Sequence, residues 1–171
     1  MRAPSEKIST TGLSAGGDSG IRDCYAFFMQ AMVAARKKNK LANGYHLVPR
    51  IHLIDWAFQE AVKSDAAWQA ARERIGFGTL ARGTAQALGN NDFMLVAMSY
   101  ATELDYRDFF DMFGVQTSDQ ARDQVASFGF PSVGRSFFAL GVTGHNHGAM
   151  STRVNEFQEL PIDGTTPWPL P

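Results

Sequence analysis

Between Phe93 and Gly114 the apolar residues follow a helical period twice over, and no other feature constrains the fold as strongly. Phe93, Val96, Ala97, Tyr100, Ala101 and Leu104 fall at the i, i+3, i+4, i+7 spacing of one helix face. Tyr106, Phe109, Phe110 and Phe113 repeat the pattern, and Gly114 is placed to end the second helix. Such spacings gather side chains on one stripe of a helix but scatter them over both faces of a strand. The segment must therefore bury a stripe of aromatic rings, and it needs other helices to bury them against.

Those helices are legible elsewhere. Ile21, Tyr25, Phe28, Met29, Met32 and Val33 mark a second apolar face, extended by Cys24, Phe27 and Ala31. Asp18 or Ser19 can cap its start. Its end runs into the basic stretch Arg36 to Lys40, where cations suit the negative end of the helix dipole. Asn43-Gly44 then breaks the chain. Pro49 stands where a helix carrying Ile51, Ile54, Phe58, Ala61 and Val62 would begin. Asp65 can cap a short Ala-rich helix through Arg74, and a weaker one runs on to Leu88. Thr117-Ser118-Asp119-Gln120 has capping-box spacing, with Ala121, Val125 and Phe128 inward behind it. Pro131 can open a last helix carrying Phe137, Phe138 and Leu140.

Few runs alternate with period two, so the sequence predicts a mainly α fold, a bundle of about six to eight helices. Its domain spans residues 19–141. A flexible arm rich in Ser, Thr and Gly precedes it at 1–18. An irregular Gly- and Pro-rich tail follows at 142–171, packing on or near the domain through Phe157 and Trp168.

Composition removes several function classes. The chain has 171 residues and 18.8 kDa, enough for one domain with a real core. A net charge of -1 supplies no global field to draw in nucleic acid or an anionic membrane, so neither is expected as a partner. Cys24 is the one cysteine, which excludes an intrachain disulfide and a Cys-rich zinc module. No apolar run approaches the roughly 20 residues of a membrane span. The first residues lack the apolar core of a secretory signal, so no export address is expected.

Candidate chemistry is sparse. Gly144-His145-Asn146-His147-Gly148 places two imidazoles two residues apart, a spacing that lets His145 and His147 share a metal ion from a loop. Turn histidines bonded to backbone or water are the plainer reading. His46 and His52 stand six residues apart and share no i, i+4 face; they read as packed or surface residues. Glu103, Asp105, Asp108 and Asp111 form an acidic stretch, with Asp108 and Asp111 at a spacing that suits a solvated face better than an acid/base pair. Arg36 to Lys40 reads as a solvated helix end, and Cys24 as a buried, inert thiol. HExxH, GxSxG, GxGxxG and GxxxxGK[ST] are all missing.

One stretch resembles a known family. Asn91-Asp92-Phe93 through Tyr100, then Glu103-Leu104-Asp105-Tyr106-Arg107-Asp108-Phe109-Phe110-Asp111-Met112-Phe113-Gly114-Val115, then Ser118-Asp119-Gln120-Ala121, is similar to the helical region behind the active site of the enhancin-like zinc metallopeptidases. These include mucin-directed and immunomodulating bacterial enzymes. Arg50 to Ala61 resembles the family's preceding helix. The resemblance covers about residues 20 to 140 and implies a shared helical fold. Family members hold zinc through HExxH and a downstream Glu. This chain has no HExxH, and its Ile21 helix offers Asp18 and Asp23 but no Glu, so no catalytic residue carries over.

The resemblance thus implies the C-terminal accessory portion of a secreted glycoprotein-directed peptidase. Zinc would belong to the catalytic half, extracellular or periplasmic, and no cofactor is expected in this chain. Its partner would be that catalytic half or a second copy of itself. Two other functions stay open at this stage: a free-standing helical interaction module, and a small metal-dependent enzyme built on His145 and His147.

Overall fold

The computed structural model describes residues 18–140, 157–162 and Thr165. Seven α-helices and a two-stranded antiparallel sheet make up the described residues, so the mainly α expectation holds. Helix α1 (Asp18–Lys37) runs through the interior in its second half. Phe27, Ala31, Met32, Val33, Ala34 and Ala35 are all buried, which a helix with one solvent face would not permit. Its last residues emerge as the expected basic end.

A single 3-10 turn (Gly44–His46) follows, capped by the Asn43 side chain accepting from the Tyr45 N–H at 3.0 Å. Gly44 is required there: a Cβ would lie 2.7 Å from the Met32 carbonyl oxygen. Helix α2 (Leu47–Ala61) buries Leu47, Ile51, Ile54, Phe58 and Ala61, one stripe at helical spacing. Helix α3 (Asp65–Ala71) is capped by Ser64, whose Oγ accepts from the Ala67 N–H, and not by Asp65, which sits in the first turn. Helix α4 (Arg82–Gln86) is short.

Helix α5 (Asn90–Thr102) carries the first of the two periodic repeats. Leu95 through Ser99 are fully buried, so this helix too is covered on every side. Glu103 takes a left-handed conformation (φ 55°) and ends it, turning the chain into α6 (Arg107–Met112). Helix α7 (Asp119–Ser127) is capped by Ser118 donated to by the Ala121 N–H. The spacing from Thr117 to Gln120 therefore marked the right turn, one residue early.

Two aromatic clusters fill the core. Phe27 meets Phe109, Phe110 and Phe113 at ring separations of 5.2, 5.0 and 5.3 Å. Phe58 meets Trp68, Phe77 and Phe93 at 5.8, 4.8 and 5.2 Å. Separations of this size are the favourable range for tilted and edge-on rings. The buried polar tips find partners: Trp68 Nε1 donates to the Leu80 carbonyl at 3.0 Å, and the Tyr106 hydroxyl donates to the Ala31 carbonyl at 3.1 Å.

The expected last helix is corrected. Pro131 opens no helix. Its carbonyl accepts from the Asp105 N–H at 2.9 Å, and the Val133 N–H donates to the Asp105 carbonyl at 2.9 Å. Gly134 turns the chain at φ 81°, and Ser136–Leu140 becomes strand β1. It pairs antiparallel with β2 (Phe157–Pro161), from Ser136 opposite Pro161 to Leu140 opposite Phe157. Phe157 therefore sits in a strand, where an irregular tail was expected. The extended form is held because Gln30 of α1 satisfies both backbone groups of Phe138, accepting at 2.7 Å and donating at 2.8 Å. Residues 1–17, most of the tail and Trp168 lie outside the described residues.

Phe110 is fully buried against α1. Replacing it with Ala should destabilise the domain by about 3–5 kcal/mol in denaturant unfolding, and a loss under about 1 kcal/mol would contradict this packing.

Candidate functional site

His145 and His147 lie outside the described residues. His46 and His52 are both exposed and occur at opposite ends of the first turns of α2, so they are surface residues and not packed ones. The side chain of Cys24 also falls outside the described residues.

The acidic stretch resolves into separate ion pairs. Asp105 is buried, and its carboxylate accepts from Arg107 through Nε at 3.0 Å and Nη2 at 2.6 Å, besides the Arg107 N–H at 3.0 Å. Burial pushes the Asp105 carboxyl upward, yet the hydrogen bonds and charge of Arg107 outweigh it and hold the group below the usual aspartate range. Asp111 forms a two-pronged pair with Arg122 at 3.0 and 2.9 Å. Asp108 accepts from the Ser132 hydroxyl at 2.9 Å, and Glu103 pairs with Lys40 at 3.1 Å. Lys38, from the same basic run, pairs with Glu159 on β2 at 3.4 Å. Carboxylates committed in this way form no acid/base dyad. Among the described residues no group of three His, Cys, Asp or Glu side chains is placed to hold a metal ion.

One concave feature of the described surface is an open groove of about 550 Å³ between α2, α4 and the start of α5. Phe58, Val62, Leu88, Phe93 and Met94 give it an apolar floor. His52, Asp55 and Gln59, one α2 face at helical spacing, form one wall; Gln86 and Asn90 form the other. The Gln59 side-chain amide donates to Asp55 Oδ1 at 3.2 Å, fixing that wall. Imidazole, carboxylate and carboxamide edges above aromatic rings can bind a ligand with both polar and apolar faces. They supply no activated nucleophile. The α5 side of the groove is held by Asp92, which accepts from the Gly89 N–H at 3.2 Å and from the Ser118 N–H at 2.6 Å, tying the starts of α5 and α7 together.

Sequence reasoning missed this groove because it followed only the buried stripe of α2. Asp55 and Gln59 lie off that stripe, and their i, i+4 spacing with His52 three residues earlier was its available signal. The outer face of α2 was missed in the same way. Tyr45, Val48, Leu53 and Trp56 are large apolar residues left exposed there.

The chain is homologous to part of a bacterial metallopeptidase. The relative is the immunomodulating metalloprotease of Pseudomonas aeruginosa, 31% identical over 143 residues. The match covers 78% of this chain and 14% of the relative, so the chain spans about a seventh of that protein. The structure of the IMPa metallopeptidase from Pseudomonas aeruginosa superposes with a TM-score of 0.63 at 28% identity, covering 86% of this chain and 16% of that one. IMPa in complex with an O-glycopeptide superposes at 0.63 with 26% identity, and IMPa in complex with T-antigen at 0.62 with 25%; each covers 96% of this chain and 20% of that one. No protein-family model matches the sequence.

The depressed Asp105 carboxyl sets a pH dependence. An unfolded Asp takes up its proton near pH 4, before the folded one does. Stability from the Asp105–Arg107 pair is therefore complete above that pH and is lost as pH falls through the lower folded value. Asp105→Asn should cost about 1–2 kcal/mol at pH 7 and flatten the acid limb of the stability profile. An unchanged acid limb would contradict the assignment.

Proposed function

We propose that this chain is a helical accessory portion of an enhancin-like zinc metallopeptidase directed at O-glycosylated proteins, and that it carries no peptide-bond chemistry of its own. The observation that carries this reading is the confinement of a 143-residue homology to 14% of a metalloprotease. The donor set of the described residues does not fit zinc: Asp105, Asp111 and Glu103 are committed to Arg107, Arg122 and Lys40, and His46 and His52 stand apart on the surface. Zinc and its activated water then belong to a metal-bearing part that this portion packs against, its partner in the peptidase.

The groove supports a role toward substrate. Sugars offer an apolar ring face to aromatic side chains and vicinal hydroxyls to carboxylate and carboxamide groups. Phe58 and Phe93 beneath Asp55, Gln59 and Asn90 supply both chemistries. Two similar structures hold an O-glycopeptide and T-antigen, which is the class of ligand proposed here.

Two measurements test the reading. Purified chain incubated with an O-glycosylated mucin and added zinc should leave the substrate intact. Chelator-sensitive cleavage that is abolished in His145→Ala/His147→Ala would overturn the accessory role in favour of an enzyme. T-antigen titrated into labelled chain should shift the backbone amide resonances of Asp55, Gln59, Asn90 and Phe93, with the response lost in Gln59→Ala/Asn90→Ala. Resonances that stay fixed would remove the groove from the account.

A further inference from the structure

Asp55 is the charged side chain of the groove, and no cation among the described residues offsets it. Glu60, Asp65, Glu103, Asp105, Asp111 and Glu159 are each paired with a Lys or Arg. Asp55 has a neutral carboxamide for its partner instead, Gln59 Nε2 donating to its Oδ1 at 3.2 Å. Its Oδ2 is left as an uncommitted acceptor in the groove wall. No Lys or Arg lines the groove, and His52 beside it is formally neutral at pH 7.

Two sources of positive potential border the groove, and each is already answered. Gly89 and Asn90 bring the start of α5 to it, where the helix dipole is positive. Asp92 stands in that first turn and accepts from the Gly89 N–H at 3.2 Å. Arg82 reaches the rim by donating to the Val62 carbonyl at 3.2 Å, but its Nε is held by the Asp65 carboxylate. The groove therefore presents negative charge above an apolar floor, and a concave surface of one sign concentrates its field on whatever enters.

We propose that Asp55 is the specificity-determining residue of this groove, admitting neutral glycans and turning away those that carry an acidic substituent. The inference rests on the glycan reading given above and adds the chemical class of sugar. The carboxylate acts in two ways. Its free oxygen accepts from the hydroxyls of a neutral sugar, and its charge repels a carboxylate or sulfate brought within a few ångströms. Discrimination gains from a repulsive element against the wrong ligand as well as an attractive one for the right ligand. Repulsion of this kind is worth about tenfold in affinity at low ionic strength and shrinks as salt screens it.

Titrations of the labelled full chain, read from backbone amide shifts, test this with two ligands: T-antigen, and T-antigen extended with one sialic acid. The wild-type chain should bind the neutral ligand about tenfold more tightly at low ionic strength, and the gap should narrow in about 0.5 M salt. Asp55→Asn keeps the side-chain size and an oxygen for Gln59 to bond, so the fold should be unchanged by circular dichroism. It should close the gap from both sides, weakening T-antigen a few-fold and strengthening the sialylated ligand. A residue that only shaped the wall would move both ligands in the same direction. Equal wild-type affinities, tighter binding of the acidic ligand, or a gap that persists in Asp55→Asn would each overturn the assignment while leaving the groove a glycan site. Failure of both ligands to shift any groove resonance would remove the glycan reading itself, and this inference with it.

Discussion

The carboxamide of Gln30 is the interaction on which the two halves of this fold depend. It is buried at 7% exposure on a helix otherwise surrounded by apolar side chains, and it bonds both the N–H and the C=O of Phe138. An extended segment entering a helical core brings backbone groups with no helical partners, and leaving them unpaired costs about 1–3 kcal/mol each. Gln30 acts as a one-residue strand and answers both. With that edge satisfied, the Phe138 ring can fill the core, and β2 can pair along the other edge of β1. One turn earlier Phe27 organises the α6 rings, and one residue later the Ala31 carbonyl receives the Tyr106 hydroxyl. Burial pushes that phenol's pKa upward, so it remains a neutral donor across the accessible pH range.

Helix α5 plays the equivalent part for the groove. Phe93 at its start closes the second aromatic cluster, and Asp92 links that start to the cap of α7. Thr79 and Gln124 add a bond between the α3–α4 connection and α7 at 2.9 Å. At the other end of α5, Arg50 of α2 donates to the Ala101 carbonyl at 2.8 Å. The groove is therefore framed by elements whose relative positions are set by buried contacts. In the accessory role proposed above, such a preset surface would serve as a rigid flank for substrate.

Most of the helical frame was legible because its signal is local. The Phe93–Leu104 and Tyr106–Phe113 repeats became α5 and α6, and the break between them came from Glu103 adopting a left-handed conformation that spacing does not show. Of the expected α1 face Met32 and Val33 are buried and Phe28 and Met29 half-buried, while Phe27, read as an extension of that face, is the ring at the centre of its cluster. β1 was misread for a physical reason. Phe137, Phe138 and Leu140 after a proline fit a short helix equally well, and the partners that make them a strand are Gln30, far earlier in the chain, and β2, beyond Leu140. The acidic stretch looked like a face with common purpose, and only the fold shows Asp105, Asp108 and Asp111 turning to three different partners. The groove was least legible, because its polar wall lies on a helix whose obvious message was the buried stripe.

Native-state hydrogen exchange of the Phe138 amide tests the central claim most directly. That proton is donated to a side chain on α1, so it should be released only when α1 and the core open together. The account predicts an opening free energy for Phe138 within about 1 kcal/mol of that for Ala34 in α1 and Ala97 in α5. A Phe138 amide that exchanges several kcal/mol more easily, while the two helices stay protected, would show the strand to be appended to a helical core that does not depend on it.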